Sequence, residues 1–231
     1  MRTSDIDPRT LADDLAAQGY ATLPLLAADT CRQLAALYDD DRRFRKRVVM
    51  EQHAYGKGEY QYFAYPLPDP VAALREALYP PLAAVANEWR RMLGDAADAY
   101  PATLEAYLAR CHAAGQTRPT PLLLRYGPDG FNCLHQDLYG EMVFPLQVTL
   151  LLSEPGADFT GGEFIMVEQR PRAQSRPIVV PLRQGEAVIF PVHHRPGIGP
   201  RGPYRLTMRH GVSRIRSGQR HTLGIIFHDA A

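Results

Sequence analysis

The chain has little of what would commit it to a special class. Its three cysteines, Cys31, Cys111 and Cys133, are odd in number, widely spaced and form no C-x-x-C pair. That excludes a disulfide frame or a cysteine zinc site and leaves reduced, partly buried thiols. No apolar run approaches the ~20 residues of a membrane span, and the opening MRTSDIDPRT lacks the apolar stretch of a signal peptide. The expectation is a soluble, cytoplasmic protein with no membrane partner. Acids are missing from one long stretch: none lies between Glu186 and Asp229, a span that holds seven arginines from Arg195 to Arg220. Residues 1–164 carry 15 basic against 22 acidic side chains and residues 165–231 carry 11 against 3, so the net charge of +1 conceals parts of −7 and +8. A second basic block, RRFRKR at 42–47, interrupts the acidic part. Such blocks read either as a surface for an anionic partner or as a solvated face paired with the protein's own acids.

What is present is an ordinary globular composition: 231 residues, 45% of them hydrophobic, enough for a sizeable core. A single domain is expected, with residues 1–118 a mainly helical elaboration and residues 119–231 a β-rich core. Leu11 and Leu15 lie at helical spacing before Gly19, a good C-cap. A second helix runs through Leu34, Leu37 and Tyr38, and in EYQYFAYPLP the alternating Tyr60 and Tyr62 mark a strand. DPVAALREALYPPLAAVANEWRRML reads as a helix pair or a kinked helix broken at Pro80-Pro81, with Trp89 in its core pattern. PATLEAYLARCHAA is a further helix ending before Gly115. From Pro121 onward, seven or eight short β-rich runs alternate with Gly and Pro and carry no helical pattern. The fold class that follows is α+β: a double-stranded β-helix, or jelly roll, with N-terminal helices packed on one sheet.

The sole H-x-D triplet is His135-Gln136-Asp137. A random chain with this supply of histidine and aspartate would show about half a match, so the triplet needs further parts. Residues i and i+2 of an extended segment point the same way, so His135 and Asp137 can share one ion. Two imidazoles and a carboxylate on one face of Fe(II) leave three positions for a co-substrate and oxygen. The second histidine comes from among His193, His194, His210, His221 and His228. His210 is best placed, because it ends the alternation Leu206, Met208, His210; His193 and His194, near Pro191 and Pro196, read as a loop. Arg220, ten residues further on and following Gly218, opens another strand and can clamp a carboxylate with two parallel hydrogen bonds. Gly161 and Gly162 read either as a sharp turn into a strand near the site or as a plain hairpin turn.

LRYGPDGFNCLHQD, the later GGEF and RHGVSRIRSGQR together resemble the Fe(II)/2-oxoglutarate-dependent dioxygenases. ANEWRRML, GKGEYQYFAYPLP and LLLSEPGADFTGGEFIMVEQRPR are similar to a bacterial group of these oxygenases named for a proposed oxidative repair of alkylated DNA. The resemblance implies Fe(II) on His135, Asp137 and His210. It implies 2-oxoglutarate held at its far carboxylate by Arg220, with Tyr126 as a further contact, and O2 as co-substrate. A C–H bond of the substrate would be oxidised while 2-oxoglutarate becomes succinate.

The substrate stays open between three readings. Alkylated nucleic acid is suggested by the basic blocks and by Tyr55, Tyr60, Tyr62, Phe63 and Tyr65, on which a flipped base could stack. Arg214 and Arg220 also share the R-x5-R spacing of the DNA-demethylating relatives. Against it, alternating aromatics also pack sheets, and a pI of 7.8 is below that of dedicated nucleic-acid domains. The second reading is a prolyl-hydroxylase-like enzyme acting on a peptide or small molecule; the third is an inert jelly-roll binding module. Leu138, Tyr139 and Gly140 are expected at the mouth of the pocket.

Overall fold

The computed structural model describes residues 6–95, 97–138 and 140–231. Helix α1 (Pro8–Gln18) begins on Asp7, whose carboxylate accepts from the backbone N–H groups of Arg9 and Thr10. It ends at Gly19, whose φ of 85° is the left-handed conformation that a glycine adopts without strain. Strand β1 (Ala21–Pro24) and helix α2 (Ala28–Ala36) follow, and a 3-10 turn carries Leu37 and Tyr38 on from α2.

The basic block at 42–47 is largely strand β2 (Phe44–Val49), followed by β3 (Gly56–Lys57) and β4 (Glu59–Phe63). The N-terminal half is therefore more than helical: it supplies four strands to the two main sheets. Its charges concealed β2, because an edge strand exposed to water does not show the apolar alternation of a half-buried one. Helix α3 (Asp69–Leu93) runs unbroken through Pro80 and Pro81. The two prolines leave the Glu76 and Ala77 carbonyls without helical donors. The apolar stripe of Leu74, Leu78, Leu82, Val85 and Trp89, all buried, holds the helix against the core regardless. Helix α4 (Leu104–Ala113) is capped by Thr103.

Eleven strands complete the chain: β5 (Leu122–Tyr126), β6 (Phe131–His135), β7 (Leu146–Leu151), β8 (Phe159–Gly161), β9 (Phe164–Gln169), β10 (Arg176–Val180), β11 (Glu186–Pro191), β12 (His194–Gly199), β13 (Gly202–Val212), β14 (Ile215–Gly218) and β15 (Arg220–Ile225). The large sheet has seven strands in the order β1-β11-β7-β15-β5-β4-β2, all antiparallel. The small sheet runs β10-β9-β13-β6-β3, with β12 also paired to β13. β2 is an edge strand, and its charged side chains discourage pairing with another chain.

Alternation along the large sheet divides its residues between two environments. Leu123, Val148, Leu150, Ile189, Leu223 and Ile225 join the helices in the main core. Tyr126, Gln147, Thr149 and Thr222 turn the other way, toward the small sheet. The result is an α+β jelly roll with helices on one face of the large sheet and a cavity between the two sheets. Among the described residues, no helix is long and apolar enough to cross a membrane.

Candidate active site between the two sheets

A cavity of about 370 Å³ opens between the sheets, and His135, Asp137, His210, Tyr126 and Arg220 all line it. Its metal end is built by the small sheet. The register pairs His210 of β13 directly with His135 of β6, and Asp137 follows two residues beyond the end of β6. The ligand atoms of His135, Asp137 and His210 lie within 4.8 Å of one another. The Asp137 carboxylate is 3.4 Å from His135 Nε2 and 3.3 Å from His210 Nε2. His135 Nδ1 lies 2.7 Å from the Cys133 carbonyl, which can only accept, so Nδ1 carries the proton and Nε2 presents its lone pair. His210 packs against Phe190 and Phe164, with ring centroids 4.6 and 6.0 Å away.

Burial opposes ionisation of Asp137, but its hydrogen bonds with His135 and His210, and their charges, hold the carboxyl well below its usual range. Burial likewise disfavours a charged His135, but Asp137 outweighs it and raises the imidazole. His210 is pushed down by burial and by the neighbouring His135. Two nitrogen donors and an anionic oxygen, converging on one point in a partly apolar cavity, fit a divalent iron better than a structural zinc, which takes four protein ligands.

The opposite end belongs to the large sheet. Arg220 opens β15 and pairs in register with Tyr126 of β5. The guanidinium is 1% exposed, yet its Nε and Nη1 have no hydrogen-bond partner. The Tyr126 hydroxyl, facing Asn132, is also buried without a bond of normal geometry. Desolvation brings Arg220 down to about 10. A buried cation with free donors is costly unless an anion completes it, so this end fits the carboxylate of a bound acid.

Gly162 makes room for that arrangement. A Cβ there would stand 2.2 Å from Ile215 Cδ1 and 2.9 Å from Arg220 Cδ, and the φ of +66° already disfavours other residues. Gly161 ends β8 and Gly162 precedes β9, both at positive φ, and the two strands lie in different sheets, so the pair makes a turn into β9 beside the site and not a hairpin.

One residue of the site escaped the sequence reading. Gln147 of β7 is buried and donates from Nε2 to Asp137 Oδ2 at 2.8 Å, tying the large sheet to the metal end. Its signal was present as a long polar side chain inside the otherwise apolar run FPLQVTLLL, where burial demands a partner.

Of the remaining candidates, three tyrosines reach the cavity and the others do not. His194 starts a strand instead of lying in a loop, and its ring stacks on His193 at 3.5 Å, outside the cavity lining. Burial drives His221 down to about 4, edge-on to Tyr38. His228, also lowered to about 4 by burial, accepts from the Phe144 N–H. Arg214 pairs with Asp129 at the surface, so its R-x5-R spacing to Arg220 does not bring the two together. Tyr55, Tyr60 and Tyr62 line the cavity, whereas Phe63 is in the core and Tyr65 bonds Asp229 and Arg75. Leu138 is exposed beyond the cavity lining, Gly140 sits against Gln116, and Tyr139 lies outside the described residues.

The comparisons with known proteins agree with this geometry. Residues 58–230 match the family Oxygenase-NA, described as an oxygenase catalysing oxidative methylation of damaged DNA. An uncharacterized protein of Mycobacterium tuberculosis is 49% identical over 192 residues, covering 81% of this chain and 82% of that protein. In structure the chain is similar to a Pseudomonas putida prolyl-4-hydroxylase, with a TM-score of 0.56 at 17% identity, covering 97% of this chain and 100% of that one. It is also similar to a Burkholderia pseudomallei oxidoreductase of the 2OG-Fe(II) oxygenase family, with a TM-score of 0.54 at 17% identity over 100% and 96% of the two chains. With its family matched over three-quarters of its length, the chain belongs to the Oxygenase-NA family, and its fold is that of the prolyl-4-hydroxylase and 2OG-Fe(II) oxygenase structures it is similar to.

Proposed function

We propose that this oxygenase removes methyl groups from alkylated nucleobases, with Fe(II) on His135, Asp137 and His210 and 2-oxoglutarate anchored by Arg220. The observation that carries the site assignment is the pairing of two incomplete ends in one cavity: a two-histidine, one-carboxylate donor set, and a buried arginine with free donors. When bound, iron and 2-oxoglutarate supply oxidation of a substrate C–H by O2, with 2-oxoglutarate leaving as succinate and CO2.

The chain's own residues orient and exclude. The Cys133 carbonyl fixes the His135 tautomer, and Gln147 fixes the Asp137 carboxylate. Arg220, assisted by the Tyr126 hydroxyl, holds the co-substrate's far carboxylate in a water-poor pocket. Tyr60 and Tyr62 form an apolar wall, and Tyr55, half exposed and stacked on His53 at 5.2 Å, stands at the opening. These are surfaces on which a flat base can lie.

Nucleic acid as substrate is supported by the family description, read as removal of a methyl group, since oxygenation of an N-methyl group gives a hydroxymethyl that departs as formaldehyde. The test incubates the iron-loaded enzyme with 2-oxoglutarate, O2 and methylated single-stranded DNA. Equal yields of succinate and formaldehyde are expected. Succinate without formaldehyde across several methyl lesions would refute the reading.

A peptide hydroxylase is the second reading, favoured by the overlay on the whole length of a prolyl-4-hydroxylase. It requires a 16 Da gain on a peptide under the same conditions.

A further inference from the structure

The basic blocks of the sequence meet different fates. In the 42–47 block, Arg42 and Arg43 pair with Asp40, and Arg47 pairs with Glu59, which also holds Arg125. Arg45 donates to the Pro119 carbonyl and covers the Tyr62 ring. In the C-terminal half, Arg170, Arg176 and Arg195 gather round the buried Glu168, and Arg220 is inside the cavity. Arg205 and Arg209 are spent on nothing: both are exposed and neither has an acid partner among the described residues. They alternate along β13 with the buried Leu206, Met208 and His210, so they stand on the outward face of the small sheet.

Among the described residues, the strands of that face present no outward carboxylate; the nearest in the register is the exposed Glu163, just before β9, which is bonded to Ser213 four residues beyond Arg209. Glu168 is the one acid in the strands of the small sheet, and it is turned inward at 1% exposure. Beside Arg209 are aliphatic side chains, Val167 opposite it in the register, Val179 at 57% exposure on β10 and Leu134 at 47% on β6, while Thr207 stands between the two arginines. Leu134 also borders the cavity, so the face is continuous with the opening of the site.

We propose that this outward face of the small sheet is where single-stranded nucleic acid docks, with its phosphates on Arg205 and Arg209. The proposal rests on the nucleobase reading above and adds where the strand lies. A face with unpaired cations whose strands present no outward acid attracts a polyanion. The two arginines, four residues apart, stand ~13 Å apart along the strand, a span that suits a chain of regularly spaced phosphates rather than one small anion. The aliphatic groups beside Arg209 meet sugars or bases. The strand is single because His210, at 5% exposure, can be reached only by a base freed from its stack.

The experiment measures binding of a fluorescein-labelled oligothymidylate by anisotropy over a series of salt concentrations. Replacing both residues, Arg205→Gln and Arg209→Gln, is expected to make the slope of log K against log salt shallower by about 1.4, two phosphate contacts at ~0.7 each. Lys46→Gln, in the other basic block, leaves the slope unchanged. Neither change touches the cavity, so succinate production with a methylated free nucleoside stays at the wild-type level, which also reports that the fold is intact. An unchanged slope in the double variant overturns the proposal; if methylated oligonucleotide is still demethylated, the nucleobase reading survives that failure. Absence of oligonucleotide binding together with no oxidation of methylated DNA removes both. Tighter binding of a labelled polyglutamate peptide than of the oligonucleotide, lost in the double variant, assigns the face to acidic protein and also overturns the proposal.

Discussion

The two sheets contribute different chemistry to one cavity. The small sheet carries the proposed iron donors: His135 and His210 are cross-strand neighbours, and Asp137 follows directly from β6. The large sheet carries the proposed co-substrate end: Tyr126 and Arg220 are likewise cross-strand neighbours, on β5 and β15. In both, antiparallel register does the positioning, because directly opposed residues share a face at fixed separation. The iron donors and the anion clamp can therefore be perturbed separately, with Gln147 as the bond between them.

The sharpest break is His210→Ala. It removes a donor from the small sheet, and both Fe(II) binding and turnover should fall to background, read by equilibrium dialysis and succinate formation. Arg220→Ala should leave Fe(II) binding intact while weakening 2-oxoglutarate by roughly 30-fold or more, about 2–5 kcal/mol for a buried charge-assisted pair. Gln147→Leu tests the crossing point. Although it lies on the large sheet, it should lower Fe(II) affinity about 10- to 100-fold, with 2-oxoglutarate affinity per loaded enzyme unchanged.

The pH dependence sharpens the contrast from the side of stability. His221 and His228, on and just beyond β15, are held near 4 by burial, against an ordinary 6.5. The unfolded chain then binds more protons than the folded one between those values, so their contribution is complete above pH 6.5 and is lost as pH falls toward 4. Denaturant melts should show a steep loss of stability in that window, softened in His228→Gln. The smallest effect is expected of Gly162→Ala. Left-handed backbone and contact with Arg220 Cδ should cost about 1–2 kcal/mol of stability and a few-fold in 2-oxoglutarate affinity, with Fe(II) affinity unchanged.

Much of this was legible in the sequence, for identifiable reasons. His210 could be chosen among five histidines because the alternation Leu206-Met208-His210 declares which face is buried, and burial of all three follows it. Arg220 could be placed because Gly218 breaks the chain before it; the φ of +79° at Gly218 is where β14 ends and β15 is about to begin. What was illegible depended on partners distant in sequence. β2 is an edge strand and its charges hid it, and Pro80-Pro81 suggested a break that the buried stripe of α3 overrides. The fate of each arginine was equally hidden, since Arg195 is turned inward onto Glu168 and Arg205 outward to solvent.

The most direct measurement is an anaerobic titration of the Fe(II)-loaded protein with 2-oxoglutarate, following the visible charge-transfer band of the co-substrate on iron. Wild type and Arg220→Ala should reach the same band at saturation, the variant only at far higher 2-oxoglutarate, and His210→Ala should give none. A band from His210→Ala equal to wild type, or an Arg220→Ala titration that superimposes on wild type, would contradict the assignment of the two ends to the two sheets.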